Sequence, residues 1–238
     1  MSTVVGRPGQ QPPVAGAPTN HRELVGTVVP LGRSRLRRAL DVVVAAVLLL
    51  LCLPLLVVVG VLIRVTDPGP VLFRQTRVGC AGRTFTMLKF RTMRTGCDDY
   101  EHRALVTRLI TEETPAPCGP DGLFKLANDA RVTRIGAFLR RTSLDELPQL
   151  VNVLRGEMAL VGPRPSLPWE AALFSSRHQA RFLVPPGITG LWQVSGRSRL
   201  TMLQALDLDV AYVERQGLAL DLQILLKTVP AVLGRQAR

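Results

Sequence analysis

Aromatic residues, histidines and paired cysteines are scarce in this sequence, and each shortage argues against a class of function. Aromatic side chains make up 5% of the 238 residues, so few platforms are present on which nucleic-acid bases could stack. The four cysteines include no C-x-x-C pair and the chain has three histidines, which argues against a structural zinc site. No apolar segment lies close to Met1, and a signal peptide is therefore not predicted.

Basic residues, by contrast, are abundant. The chain has 30 lysines and arginines against 18 acidic residues, a formal net charge of +12. Such an excess predicts a polyanionic partner, which leaves a nucleic acid, an anionic membrane surface or a phosphorylated substrate. A membrane-tethered nucleic-acid binder is disfavoured because the aromatic content is low and the sequence has no helix-turn-helix or zinc pattern. We therefore expect no nucleic-acid partner.

The chain divides into three segments by composition. Residues 1–33 are rich in proline and glycine and predict a disordered polar tail. Residues 34–66 contain an uncharged run, from Val42 to Ile63, that is long enough for a membrane helix, which needs roughly 20 apolar residues. Residues 67–238 alternate between polar, apolar and Pro/Gly-rich stretches and form the remaining domain.

The membrane segment has a proline near its centre and basic residues on both sides. Pro54 lacks a backbone donor and bends a helix, and basic residues at an end favour the cytoplasmic side for that end. We therefore predict a re-entrant helix, kinked at Pro54, that enters and leaves by the same membrane face. A spanning helix is the alternative that charge counting leaves open. Arg37 and Asp41, one turn apart, predict an ion pair at the start of the run. The flanking arginines are Arg33, Arg35, Arg37 and Arg38 before the run and Arg64, Arg74, Arg77 and Arg83 after it.

The remaining domain is predicted to be α+β and mostly helical, with one short β-hairpin. Strands at 71–73 and 84–88 flank a glycine-bounded loop and predict that hairpin. A last helix, 218–233, either packs in the core or lies along a membrane surface, and its pattern does not decide between the two. The other predicted helices fall within 95–122 and at 132–141, 144–154, 169–183 and 200–216, with loops at 162–168 and 185–190.

Adjacent carboxylates, Asp145 and Glu146, form the first candidate site. Ser143-x-x-Glu146 also matches a capping box, and acidic residues suit the first turn of a helix; composition alone favours that structural interpretation. In the functional interpretation, one carboxylate attacks phosphorus as a nucleophile, and the other helps to hold a Mg²⁺ ion together with substrate phosphates. Arg140 and Arg141, just before them, would neutralise a diphosphate.

Two further basic motifs suit phosphate binding. Gly162-Pro163-Arg164-Pro165 places a proline on each side of Arg164, and a rigidly presented guanidinium suits bidentate contact with phosphate. Lys89 and Arg91 follow the second predicted strand and share one face in strand geometry. Solvated surface turns and basic edges have similar sequences, so neither motif identifies a site alone.

Together these segments resemble the bacterial sugar transferases, which are monotopic polyprenyl-phosphate phosphoglycosyl transferases with a single membrane hairpin. The resemblance covers roughly residues 35–234 and rests on several motifs in the same order. These are Arg38-Ala39-Leu40-Asp41, Pro68 through Gln75, Lys89-Phe90-Arg91-Thr92-Met93, Arg140 through Gln149, Gly162-Pro163-Arg164-Pro165 and Pro186 through Arg197.

The resemblance implies an enzyme that transfers a sugar-1-phosphate from a UDP-sugar to undecaprenyl phosphate, or another polyprenyl phosphate, and releases UMP. This would be the first membrane step in the synthesis of an exopolysaccharide or another glycan. It implies a catalytic domain on the cytoplasmic face of the inner membrane, with the UDP-sugar, the carrier lipid and the membrane as partners. A homodimer is compatible with it.

The resemblance also assigns roles to individual residues. Asp145 corresponds to the nucleophile that becomes a covalent phospho-sugar aspartate, and Glu146 to the Mg²⁺ ligand. Lys89, Arg140 and Arg164 correspond to positions that bind the phosphates and the nucleotide.

One departure from the family concerns the membrane helix. Leu53 precedes Pro54, where the family often has serine, whose hydroxyl can stabilise a kink. Asp209 matches a further family motif, with a structural or ligand-adjacent role. The alternative function is a non-catalytic, membrane-anchored scaffold of a glycan pathway, which would not need the carboxylate pair and Arg164 together. The sequence does not identify the transferred sugar.

Overall fold

The computed structural model describes residues 31–94, 100–111, 131–196 and 200–233. Helices and two small sheets make up this part of the chain, which agrees with the predicted α+β class. The predictions for 1–30 and for parts of 95–122 concern residues outside the described ranges. The helices are α1 (Arg35–Thr66), α2 (Tyr100–Thr111), α3 (Arg134–Thr142), α4 (Gln149–Arg155), α5 (Pro168–Ala171), α6 (Ser176–Gln179), α7 (Leu191–Val194), α8 (Met202–Arg215) and α9 (Leu218–Leu233), and the strands are β1 (Leu72–Val78), β2 (Thr84–Phe90), β3 (Ala159–Val161) and β4 (Gly187–Thr189).

Helix α1 is one unbroken helix of 32 residues. It begins after Ser34, whose side chain accepts the Arg37 N–H and so satisfies a donor that the first turn leaves without a partner. Leucine, valine and alanine fill most of its length, and Pro54 lies inside it without ending it. Among the described residues, α1 alone is long and apolar enough to cross a membrane.

Both ends of α1 pack against the rest of the domain, whereas its middle does not. Ala45, near the start, is fully buried in a core shared with β2 and α4. Val59 and Ile63, near the end, are buried in a second core shared with β2 and α3. Between these contacts, Leu50 and Leu51 are 72% and 71% exposed. Apolar side chains are exposed along the whole of α1, and no residue between Ala45 and Val59 is buried.

Buried ion pairs anchor the first turns of α1. Arg33 Nε lies 2.8 Å from Asp41 Oδ2, and Arg37 NH2 lies 2.8 Å from Asp221 Oδ2 in α9. The Tyr212 hydroxyl donates to Asp221 Oδ1 at 2.8 Å. The predicted pair of Arg37 with Asp41 is thus wrong, because tertiary partners replace the neighbour along the helix. The end of the segment predicted as a tail also contacts the domain through Arg33.

The predicted β-hairpin is present and longer than expected. Strands β1 and β2 are antiparallel, with Leu72 opposite Phe90 and Val78 opposite Thr84. A 3₁₀ turn, Cys80–Gly82, joins them, and Ala81 within it has a left-handed conformation with φ 53°. The hairpin places β2 against α4 and the turn that precedes it.

The largest departures from prediction lie between 144 and 190. The helix predicted at 144–154 is a 3₁₀ turn, Leu144–Glu146, followed by α4, whose N-cap is Pro148. The single helix predicted at 169–183 is wrong, because the chain there forms α5, α6 and a 3₁₀ turn. Part of the loop predicted at 185–190 is β4, which pairs in parallel with β3. Strands of three residues show too few alternations for a periodic pattern to reveal them.

Helix α9 shows features of both alternatives. Asp221 and Ile224 are buried against the domain, so one face packs in the core. Leu222, Leu226 and Val229 are exposed on the remaining surface. The helix therefore joins the core and also presents an apolar face to its surroundings.

Candidate active site

Side chains from separate parts of the chain line one cleft between β2, the 3₁₀ turn Leu144–Glu146, the loop 162–166 and β4. The cleft is partly open to solvent. Lys89, Glu146 and Arg164 line it together. The structure thus gathers three predicted site residues that are far apart in sequence.

Lys89 enters the cleft from β2 and contacts Glu146. Its Nζ donates to Glu146 Oε1 at 2.7 Å, and the two side chains are 15% and 27% exposed. Because both retain contact with solvent, an incoming phosphate can compete for the ammonium group. Lys89 lies opposite Phe73 in the hairpin register, and cross-strand partners share one face of a sheet, so the half-exposed Phe73 ring lies on the same side.

The carboxylate pair sits in a tight turn between two helices. Ser143 ends α3 with a left-handed backbone, φ 57°, and makes no side-chain capping bond with the turn that follows. The capping-box interpretation is therefore wrong: Ser143 belongs to the end of one helix, and the Glu146 side chain turns to Lys89. A non-glycine residue in this conformation costs on the order of 1 kcal/mol. Glu146 lines the cleft, whereas Asp145 is buried, with 8% of its surface exposed.

The loop that carries Arg164 is held through its backbone carbonyls. The Arg164 guanidinium NH1 lies 4.0 Å from Glu146 Oε1, so Arg164 faces the same carboxylate as Lys89. Two glycines allow β3 and β4 to approach closely here, since a Cβ on Gly187 would collide with the backbone of Gly162. The carbonyls accept as follows: Pro163 from Gly187 N at 2.9 Å, Arg164 from Arg181 at 2.6 Å, Pro165 from Arg77 at 3.0 Å and Ser166 from Val78 N at 2.8 Å.

Arg140 is placed beside the carboxylate turn rather than in the lining of the cleft. It lies in the last turn of α3, and its Nε donates to Thr92 Oγ1 at 2.9 Å. Its predicted role in phosphate binding stays a prediction.

Arg77 is a cleft residue that no sequence motif indicated. It lines the cleft, its NH1 donates to the Pro165 carbonyl, and its Nε and NH2 donate to Gln75. Burial lowers the pKa of Arg77 to about 10, so the guanidinium stays charged at neutral pH. From the sequence, Arg77 was assigned only to the group of arginines that flank the membrane helix. Its partner Pro165 is distant in sequence, so no local pattern could reveal the contact.

The donor set fits a Mg²⁺ ion that is shared with substrate, but not one held by protein alone. Among the residues that the structure describes, no group of three or more His, Cys, Asp or Glu side chains converges as a metal site. Mg²⁺ commonly binds through one or two carboxylates plus substrate phosphates and water. Glu146, which lines the cleft and is partly exposed, can supply such a carboxylate.

Comparison with known proteins adds a family to this geometry. The family model described as bacterial sugar transferase matches residues 32–235. The exopolysaccharide production protein ExoY of Rhizobium meliloti (strain 1021) is 41% identical, over 92% of this chain and 94% of its own length. The UDP-glucose:undecaprenyl-phosphate glucose-1-phosphate transferase of Caulobacter vibrioides is 42% identical, over 83% of this chain and 69% of its own length. The undecaprenyl-phosphate galactose phosphotransferase of Salmonella typhimurium is 38% identical, over 84% of this chain and 41% of its own length.

Proposed function

The chain belongs to the bacterial sugar transferase family, and on that basis we propose that it transfers a sugar-1-phosphate from a UDP-sugar to undecaprenyl phosphate, or a related polyprenyl phosphate, and releases UMP. The observation that carries the proposal is the meeting of Lys89, Glu146 and Arg164 in one cleft, on a domain that also bears a long apolar helix. The relatives include a glucose-1-phosphate transferase and a galactose phosphotransferase, and these names support the same reaction class. The product would enter exopolysaccharide or another glycan synthesis.

The reaction proceeds in two displacements in this proposal. First, an Asp145 carboxylate oxygen attacks the sugar-bearing phosphorus, the bond from this phosphorus to the bridging oxygen breaks, and UMP leaves with that oxygen. An oxygen of the lipid phosphate then attacks the same phosphorus, the bond to Asp145 breaks, and the carboxylate is restored. Covalent catalysis of this kind predicts ping-pong kinetics. The burial of Asp145 favours the scheme, because exclusion of water protects a reactive acyl phosphate from hydrolysis.

Basic side chains provide most of the remaining chemistry. Phosphoryl transfer depends on positioning and on neutralisation of phosphate charge. Lys89 and Arg164 are 2.7 and 4.0 Å from the Glu146 carboxylate, so both can contact a diphosphate placed beside it. Arg140, from the end of α3, would contact the nucleotide side of the donor. Glu146 would hold Mg²⁺, which supplies charge neutralisation at the phosphates when bound.

The packing of α1 supports a re-entrant rather than a spanning helix. Ala45 and Val59 are both buried against the same domain. The stretch between them is about 20 Å long at 1.5 Å per residue, shorter than the roughly 30 Å of a bilayer core. In the proposed arrangement the central turns dip into one leaflet, bent at Pro54 despite Leu53 before it. The catalytic domain then lies on the cytoplasmic face of the inner membrane. Homodimer formation stays a prediction.

A UMP-release assay tests this function. The purified protein in nanodiscs is incubated with undecaprenyl phosphate, Mg²⁺ and a panel of UDP-sugars. We expect UMP release with at least one sugar, and a loss of at least about 100-fold in Arg164→Ala, as seen when a preorganised charge donor is removed. Arg83→Ala, which changes an exposed arginine of the hairpin loop, should retain activity. UMP release that is equal in the two variants would contradict the proposed site, and no release by the folded wild-type protein would favour the scaffold.

A further inference from the structure

Arg181 and Asp209 form a buried ion pair directly behind the loop that carries Arg164. Their side chains are 5% and 2% exposed, and Arg181 NH2 lies 2.6 Å from Asp209 Oδ2. The same guanidinium donates to the Arg164 carbonyl at 2.6 Å and to Ser166 Oγ at 2.6 Å. One buried cation therefore joins helix α8 to the backbone of the phosphate-binding loop.

Aromatic rings restrict the guanidinium further. Its carbon atom lies 5.1 Å from the centre of the Phe174 ring and 5.9 Å from that of Phe182. Such contacts stabilise a cation that has lost water. A planar fork of donors, held by two rings, can serve three acceptors in fixed directions, which the point charge of a lysine cannot do.

The contact of Arg181 with the loop restricts the backbone from which the Arg164 side chain extends. Pro163 and Pro165 fix their own φ angles, and Pro165 also confines Arg164 to extended conformations. The main remaining backbone freedom is rotation of the peptide plane that contains the Arg164 carbonyl. A hydrogen bond from a buried cation to that carbonyl restricts this plane, and with it the direction in which the Arg164 side chain leaves the backbone.

Stability alone is a weak explanation for this pair. A buried ion pair loses hydration, and replacing it by well-packed apolar residues is often neutral or stabilising. Here the pair also leaves Arg181 Nε and Asp209 Oδ1 buried without a hydrogen-bond partner, a cost that apolar packing would avoid. What an apolar pair could not supply is the bond to the Arg164 carbonyl.

We propose that Arg181 and Asp209 are positioning residues, which hold the Arg164 carbonyl so that the Arg164 guanidinium meets the donor phosphates in the cleft. The inference rests on the proposed function, in which Arg164 binds phosphate. It assigns Asp209 a role through Arg181 and Arg164, without contact with the substrate.

A double-mutant cycle tests the coupling. kcat and KM for the UDP-sugar are measured for wild type, Asp209→Asn, Arg164→Ala and the double variant. We expect Asp209→Asn to lower kcat/KM by roughly 10- to 100-fold, the effect of a small misplacement of a binding group. In the Arg164→Ala background the same change should have an effect of less than about twofold, since interacting residues are not additive. Asp207→Asn, on the same helix but 45% exposed and in contact with Arg177 and His178, is the matched control and should match wild type.

Two further measurements keep the inference falsifiable. If Asp209→Asn does not fold, Arg181→Lys replaces it in the cycle, and its loss should likewise disappear in the Arg164→Ala background. Equal losses in both backgrounds would overturn the positioning role. If wild type releases no UMP, the proposed function fails separately, and hydrogen exchange decides the inference. Faster exchange of the peptide 160–167 in Asp209→Asn than in Asp207→Asn supports the conclusion that the ion pair restrains the loop, and unchanged exchange overturns it.

Discussion

Asn152 ties the strand that carries Lys89 to the helix that follows the carboxylate pair. It is fully buried; its Oδ1 accepts the Leu88 N–H at 3.0 Å, and its Nδ2 donates to the Thr86 carbonyl at 2.8 Å. The side chain therefore caps the edge of β2 that β1 does not cover. We predict that Asn152→Ala will lower both stability and activity, because Leu88 directly precedes Lys89.

The expected magnitude follows from these contacts. The substitution leaves a buried N–H and a carbonyl without their partner, at about 1–3 kcal/mol for each unsatisfied group. It also opens a small cavity. A total loss of roughly 3 kcal/mol corresponds to a fall in melting temperature of about 6–12 °C for a chain of this size. Displacement of Lys89 should lower kcat/KM for the donor by about tenfold.

Thermal unfolding in detergent and the UMP-release assay provide the two readouts. Arg155→Ala, an exposed position at the end of the same helix, is the control, and its stability should change by less than about 0.5 kcal/mol. A melting temperature for Asn152→Ala within about 2 °C of that of Arg155→Ala would contradict the stabilising role of the Asn152 hydrogen bonds.

Further predictions concern the 162–187 contact, Asp209 and α1. Gly187→Ala should lower the melting temperature by at least about 4 °C, because its Cβ would push β3 and β4 apart, and an unchanged value would contradict the close approach of the two strands. Burial raises the pKa of Asp209 to about 6 despite its pairing with Arg181. We therefore expect kcat/KM to fall as the pH drops below this value, because the carboxylate loses its charge. The pH profile of Asp209→Asn should lack this step. Because its pKa is raised on folding, Asp209 binds a proton more tightly in the folded protein than in the unfolded chain. The contribution of Asp209 to the free energy of unfolding should therefore decline as the pH rises from 3.8 to about 6. Denaturation curves of Asp209→Asn measured over this pH range should lack that decline. In a cysteine-free background, Ser34→Cys and Thr66→Cys should both react with an impermeant maleimide in inverted membrane vesicles and neither in spheroplasts, whereas labelling of one from each side would indicate a spanning helix.

The sequence predicted the elements whose signals are local. The apolar run gave α1, and the glycine-bounded loop between two β-rich stretches gave the hairpin. The helices at 132–141, 200–216 and 218–233 were placed to within a few residues of α3, α8 and α9. In each case periodicity or turn chemistry is contained within one segment.

Elements that depend on distant partners were missed. Strands β3 and β4 form because close contact of Gly162 with Gly187 lets two short segments pair. The capping-box interpretation of Ser143 failed because the turn serves a tertiary contact, from Glu146 to Lys89. Pro148, which cannot donate a backbone hydrogen bond inside a helix, was the local indication that the helix predicted at 144–154 would start later.

The candidate site shows the same division. Family motifs selected Lys89, Glu146 and Arg164, and the structure brings them into one cleft. The buried arginines that hold the 162–166 loop were not predicted, because their acceptors are backbone carbonyls and carboxylates far away in sequence. Such contacts carry no compositional or periodic signal.

In the proposed reaction, Asp145 becomes covalently attached to the sugar phosphate. The most direct measurement is intact-protein and peptide mass spectrometry after acid quenching of the enzyme with its UDP-sugar donor and no lipid acceptor. We predict a mass increase equal to one sugar-1-phosphate minus water, located on the peptide that contains Asp145 and absent from Asp145→Asn. An adduct on another residue, or UMP release at the wild-type rate by Asp145→Asn, would contradict it.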